Sequence, residues 1–242
     1  MTKLRLLLGL CVLLVLGVVG STALAAPGLT TCSGGSIAAG IYNGLNVTGN
    51  CTFADGAAVT INGNLNVANG AILNDHAASS ATVLVTGNVI VGKGAVLGLG
   101  HYNPTGPHAA TVNGNIVANQ PLTLYLGAVT VHGNVVSNGG GDPTRNFPIK
   151  DDTVGGNLIL QGWHGLWLGA IRDTVGGNLI VSNNTAADTS QLPGSDSTEV
   201  QTNSVNGNLI CQGNTPAAQV NPDDGGQPNI VGGNKIGQCA GL

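Results

Sequence analysis

The sequence predicts an all-β fold: a single-stranded parallel β-helix, or solenoid, of about 23 residues per coil with inserted loops. Three observations lead there. A five-residue phrase (Val or Ile, any residue, Gly, Asn, then usually an aliphatic residue) recurs nine times, beginning at Val47, Ile61, Val85, Val112, Val131, Val154, Val175, Val205 and Val231. The Gly-Asn pairs from Gly49 to Gly233 span eight steps with a mean of 23 residues, and a fixed period near that length marks units that bury their apolar faces only by stacking on neighbours. Third, the chain holds 40 Gly and many β-branched residues, which oppose helix.

Taken in order, the first element is a leader. Lys3 and Arg5 precede an apolar run from Leu6 to Val19, and Ala23 and Ala25 supply the small residues that signal peptidase needs. Residues 1–25 are therefore expected to be a secretory signal peptide, with a β-helix domain over 26–242. The apolar run is too short for a membrane span, and no second one follows, so the mature chain is expected to have no transmembrane span. Removing the leader takes away Cys11, Lys3 and Arg5, leaving four cysteines and a net charge of −6. An even cysteine count outside the cytoplasm favours disulfides. Cys32 and Cys51 lie near one end and Cys211 and Cys239 near the other, so local pairs are expected to staple terminal coils that lack a stacking neighbour.

Within each phrase the residues at relative positions zero, four and six are apolar, as in Ile61, Leu65 and Val67, and a period of two means strand. The intervening Gly-Asn predicts a corner, since both residues tolerate positive φ. Stacked corners would bring the asparagines to the ~4.8 Å strand spacing as a hydrogen-bonded ladder. A second phrase, Gly-Ala before aliphatics, occurs at Gly56, Gly70, Gly94, Gly127 and Gly169 and predicts another corner. The duplicate Asp152-Thr-Val-Gly-Gly-Asn-Leu-Ile159 and Asp173-Thr-Val-Gly-Gly-Asn-Leu-Ile180 marks two consecutive coils. Segments 100–110, 138–150, 183–201 and 214–227, rich in Pro, Asn, Asp and Gly, are expected to be loops.

The repeated Val-x-Gly-Asn phrase resembles the parallel β-helix proteins with asparagine ladders, the architecture of pectate lyases and of many cell-surface proteins. It is also similar to the Val-x-Gly-Asn and Val-x-Gly-Asp repeats of bactofilins, polymer-forming bacterial scaffold proteins. The resemblance covers roughly Val47 to Asn234. It implies a bacterial source and stacking chemistry rather than a particular activity. Lyases of this architecture use acidic Ca²⁺ ligands with a basic proton acceptor.

Candidate site residues are few because only 7% of the chain is charged and 3% aromatic. Leu124-Tyr125-Leu126-Gly127-Ala128 matches Leu166-Trp167-Leu168-Gly169-Ala170, and alternation turns Tyr125 and Trp167 outward. Trp163 has the same parity as Trp167, so the three rings are expected on one side, where they would stack on sugar. Asp151, Asp152 and Asp173, with Lys150 and Arg172, form the densest charged group and a candidate Ca²⁺ site, set against a reading as solvated corner aspartates. No other cofactor is expected. His76, His101, His108, His132 and His164 form no motif, and the absence of a basic patch argues against nucleic acid as a partner. The expected function is a secreted or cell-surface structural or binding solenoid, with envelope or extracellular polysaccharide as the candidate ligand and self-association open to it. The alternative is a polysaccharide lyase or hydrolase of the β-helix type; no catalytic residue is assigned.

Overall fold

A computed structural model describes residues 28–75, 81–101, 109–188, 197–222 and 225–242. The expected signal peptide at 1–25 lies outside them, as do His76 and His108. Among the described residues every regular element is a β-strand, and no helix is long and apolar enough to cross a membrane. The chain winds as a parallel β-solenoid.

Each coil contributes short strands to three faces. Face one is a sheet of nine strands, running from Gly40–Tyr42 through Ala58–Ile61 and Thr82–Val85 to Ile230–Val231. Faces two and three belong to one 16-stranded sheet that turns a corner. The corner lies within strand Leu45–Phe53, whose Leu45 to Val47 pair with Leu65–Val67 while Asn50 and Cys51 pair with Ile72 and Leu73. Face two then continues through Val89–Val91, Ile116–Asn119, Val135–Asn138, Leu158–Gln161, Leu179–Ser182, Leu209–Gln212 and Lys235–Gly237. Face three continues through Val96–Gly100, Thr123–Gly127, Asn146–Lys150, Trp167–Ile171 and Thr198–Gln201. Inward residues of all three faces, such as Ile61, Leu65, Leu97, Val131 and Leu158, meet in one continuous core. Burying that surface is the main driving force available to so weakly charged a chain.

The Gly-Asn corners between faces one and two carry the expected ladder. The backbone N–H of Asn88 donates to Asn64 Oδ1 at 2.9 Å. From Asn115 through Asn134, Asn157 and Asn178 to Asn208, both the backbone N–H and Nδ2 donate to Oδ1 of the asparagine one coil earlier, at 2.8 to 3.2 Å. The sequence separations along this column run from 19 to 30 residues, yet the rungs stay in register. The column is half-buried at the surface of the corner.

Four expectations need correction. The phrase at Val47 is not a corner: Val47 pairs with Val67 and Asn50 with Ile72, so both lie inside a strand, and the corner of that coil is Asn43-Gly44. The glycines of most Gly-Asn corners are not there for positive φ. A Cβ on Gly114 would lie 2.5 Å from the Gly87 carbonyl oxygen and 2.6 Å from Asn88 Oδ1, so stacking of the ladder itself excludes a side chain. Gly56, Gly70 and Gly94 do turn corners at φ near +70°, whereas Gly127 and Gly169 sit within strands. Segments 138–150 and 183–201 are loops only in part, since they end in the face-three strands Asn146–Lys150 and Thr198–Gln201.

Positive φ is concentrated at the two other corners. Between faces three and one it falls on Ala128, Asp151, Arg172 and Thr202, and between faces two and three on Gln120, Gly139, Gly162, Asn183, Gly213 and Gly237. The side chain after most of these left-handed positions points inward, and there the structure builds two further ladders. At one corner Asn184 donates through N and Nδ2 to Asn214 Oδ1, and Asn214 likewise to Gln238 Oε1. At the other the rungs are Asp152, Asp173, Asn203 and Asn229.

The ends are closed covalently as expected. Cys32 of the first strand, Thr30–Ile37, is bonded to Cys51, and Cys211 to Cys239. The first strand also lines an open depression of about 270 Å³ with Tyr42 and Leu45.

Candidate functional site

Face three carries two of the residues that the sequence singles out, Tyr125 and Trp167. Strand pairing sets Tyr125 beside Gly98, Leu126 beside Ile149 and Ile149 beside Ala170. Tyr125 is therefore level with Pro148 and Gly169, and Trp167 stands two residues along, beside Asn146. The internal match of Leu124–Ala128 with Leu166–Ala170 thus overstates the register by two positions without changing the face. Trp167 nevertheless reaches back over the Tyr125 column. A Cβ on Gly169 would lie 2.1 Å from Trp167 Cη2, so the indole occupies the space that a side chain at Gly169 would take. Both Tyr125 and Trp167 are half-buried. The Lys150 ammonium lies 4.6 Å from the centroid of the Trp167 ring, a cation–π contact.

Trp163 is not part of this surface. It is 1% exposed, its ring meets Phe147 edge-on at 5.2 Å, and Nε1 donates to the Leu122 carbonyl at 3.3 Å. Parity counted back from Trp167 fails because a corner intervenes. Gly162 takes φ +68°, which resets the alternation and places Trp163 at the inward position after a left-handed residue. Its backbone N–H donates to Asn184 Oδ1 at 2.9 Å, so Trp163 caps the amide ladder that follows it.

The three carboxylates do not converge either. Asp151 is outward and makes a bidentate pair with Arg172, at 2.6 Å to Nε and 2.7 Å to Nη2. The hydrogen bond that Arg172 donates to Asp151 raises the affinity of Arg172 for its proton, but so open a pair contributes only about 0.2–1 kcal/mol. Asp152 and Asp173 face the core and are each 1% exposed, which overturns their reading as solvated corner aspartates. Among the described residues, no group of three or more His, Cys, Asp or Glu is arranged to hold a metal ion.

What Asp152 and Asp173 do is structural and unusual. In each, Oδ1 accepts a backbone N–H from the preceding coil, Val129 N to Asp152 at 2.7 Å and Asp152 N to Asp173 at 3.0 Å. The other oxygen, Oδ2, is buried without a hydrogen-bond partner in both. The asparagines that continue the column explain it. Asn203 Nδ2 donates to the Ala170 carbonyl and Asn229 Nδ2 to the Val200 carbonyl, both at 2.8 Å. Pairing of Ala170 with Ile149 and of Ile149 with Leu126 sets the equivalent acceptors for Asp173 and Asp152 at the Ile149 and Leu126 carbonyls. Only a protonated Oδ2 can donate there. Burial pushes both carboxyls well above the ordinary range, and nearby carboxylates add to it: Asp151 for Asp152, and Asp152 then Asp151 for Asp173. Burial thus favours the neutral carboxylic acid, the form able to donate where Asn203 and Asn229 present Nδ2.

Sequence reasoning missed this column and its neighbour at Asn184, although a signal exists: a residue with positive φ, then Asp, Asn or Gln, just after a strand. Arg172-Asp173, Thr202-Asn203, Asn183-Asn184, Gly213-Asn214 and Gly237-Gln238 all follow it. A further polar group on face three is closed. Glu199 accepts from Asn221 Nδ2 at 3.0 Å and from Gln201 Nε2 at 3.3 Å, and Gln201 Oε1 accepts from the Asn221 backbone at 2.6 Å, all buried.

No family model, curated protein or solved structure matches the chain. The likeness to β-helix lyases and bactofilins therefore rests on the repeat phrase alone.

Proposed function

We propose that the chain is an exported structural and binding solenoid, secreted or held at a cell surface, that contacts extracellular polysaccharide through face three at Tyr125 and Trp167. The observation that carries this reading is the indole of Trp167 lying over Gly169 with the Lys150 ammonium 4.6 Å from its centroid. The indole and the cation over it together offer an apolar flat surface and a charge-assisted hydrogen bond to the hydroxyls or carboxylate of a pyranose. Two disulfides are compatible with an oxidising compartment. A lyase or hydrolase reading would need carboxylates that a substrate can reach, and Asp152 and Asp173 point into the core.

Affinity electrophoresis or calorimetry of the mature chain with uronate-containing and neutral polysaccharides tests the proposal. Binding is expected to favour the acidic polymers and to fall at least about tenfold in Trp167→Ala and less in Tyr125→Ala. Binding unchanged in both variants overturns the site; turnover of any polymer overturns the non-catalytic reading.

A further inference from the structure

On the outer side of face two, strand register aligns seven β-branched residues in one column. Ile90 pairs with Val117, Val117 with Val136, Val136 with Ile159, Ile159 with Ile180, Ile180 with Ile210, and Ile210 with Ile236. Ile90, Val117 and Ile236 are 44%, 42% and 44% exposed, and the four between Val117 and Ile236 are half-buried. On one side lies the amide ladder; on the other, Asn119, Asn138, Gln161, Ser182 and Gln212. No residue of the face-two strands from Val89–Val91 to Leu209–Gln212 carries a charge. An outward position on a solvated sheet is ordinarily polar, yet this one is aliphatic in seven consecutive coils.

We propose that this face is a lateral interface with a second copy of the chain, packed sheet on sheet about a two-fold axis. Six inter-strand steps give a stripe about 29 Å long, and three outward columns give a width of about 14 Å, so each copy contributes about 400 Å². The total, about 800 Å², lies below the range of permanent assemblies and fits a reversible, concentration-dependent dimer. Several features select a second copy. A straight row of β-branched Ile and Val side chains at the strand spacing is complementary to itself, as in a dry sheet-to-sheet seam. The net charge of the chain, −4, disfavours like molecules meeting anywhere but on a neutral surface. Lys235, in the last coil, is the one cation on the face-two strands, too little for the usual attraction to anionic lipid or nucleic acid.

The two-fold axis fixes the pairing. It reverses the column, so that Ile159, fourth of seven, meets its own copy, while Val136 meets Ile180 of the second copy and Ile180 meets its Val136. Sheets packed face to face diverge by about 30°, which concentrates contact on these central residues.

Sedimentation velocity of the mature chain from micromolar to millimolar concentration is the test. The wild type is expected to pass from monomer to dimer. Ile159→Lys and Val136→Glu alone should each weaken association at least about tenfold, with thermal midpoints unchanged because the side chains point to solvent. The double variant Val136→Glu/Ile180→Lys should regain dimerisation, in a salt-sensitive form, through two symmetric ion pairs. A wild type that stays monomeric, a dimer that survives Ile159→Lys, or a double variant that fails to recover overturns the proposal. A monomer that sediments with phosphatidylcholine vesicles also overturns it and gives the stripe to a membrane surface.

Discussion

Replacing Asp173 with Asn should stabilise the protein at neutral pH, although it removes an acidic residue from a buried, hydrogen-bonded position. Asn203 and Asn229 already occupy the same column and satisfy both of its bonds, so the amide fits without rearrangement. The sign follows from linkage. Burial raises the folded-state proton affinity of Asp173 above that of the unfolded chain, so the folded protein holds a proton that the unfolded chain has lost. The stability supplied by this group is therefore full below the ordinary carboxylate range, near pH 4, and declines as pH rises toward the raised folded value. While that difference persists the decline is about 1.4 kcal/mol per pH unit for one group, and about twice that for Asp152 and Asp173 together. From about pH 5 to about pH 7 the advantage of Asp173→Asn over wild type should thus grow, on the order of 1–3 kcal/mol or several degrees in midpoint for a domain of this size. Urea unfolding of wild type, Asp173→Asn and Asp152→Asn/Asp173→Asn across that window measures it, and the infrared carbonyl band of a protonated carboxylic acid should vanish in the double variant. If the Asn variants are less stable than wild type at pH 7, or if the gap does not change with pH, the carboxyls are ionised and the argument fails.

Two more outcomes test the corners and the ends. Gly177→Ala should cost about 1–3 kcal/mol by overpacking, because its Cβ would lie 2.6 Å from Asn157 Oδ1 and 2.9 Å from the Gly156 carbonyl oxygen; Gly177→Asn should be no better. At Gly70, where nothing lies within 4 Å but φ is +71°, Asn should be nearly neutral, since it tolerates the left-handed region; equal losses for Asn at both sites would refute the distinction in chemical denaturation. Removing the Cys211–Cys239 bond by a double Ser substitution should cost roughly 2–4 kcal/mol. Hydrogen exchange should show the loss confined to the C-terminal coils, and a loss spread evenly to the first strand would count against it.

The alternation of strands was legible because inward positions accept little besides aliphatic residues, so Ile61, Leu65 and Val67 announce their own geometry. The same letters mislead where composition imitates the phrase. Val47-Thr48-Gly49-Asn50 spells a corner yet lies in a strand, since in a Gly- and Asn-rich chain the phrase arises without the stacking that gives it meaning. Trp163 was misplaced for a related reason: parity holds only within a strand, and a single left-handed residue at Gly162 cancels it. Asp152 and Asp173 were located on the correct stack but given the wrong side, because Asp-Thr before a strand is as common in solvated turns as in buried columns. The outward stripe was present in the repeat, at the position between the two inward aliphatics, and was invisible only because attention to the core treats every aliphatic residue as internal.

The constancy of the ladder over sequence separations from 19 to 30 residues has a consequence for how such a chain can change length. A rung needs a partner directly below it, so the stack grows or shrinks only by whole coils, whereas segments between rungs bulge outward at no expense to the register. The near-identical coils beginning at Asp152 and Asp173 look like the outcome of such a duplication. Length along the axis is therefore quantised, and breadth around it is continuous: a lineage could extend the rod coil by coil while decorating any corner independently, without ever redesigning the core.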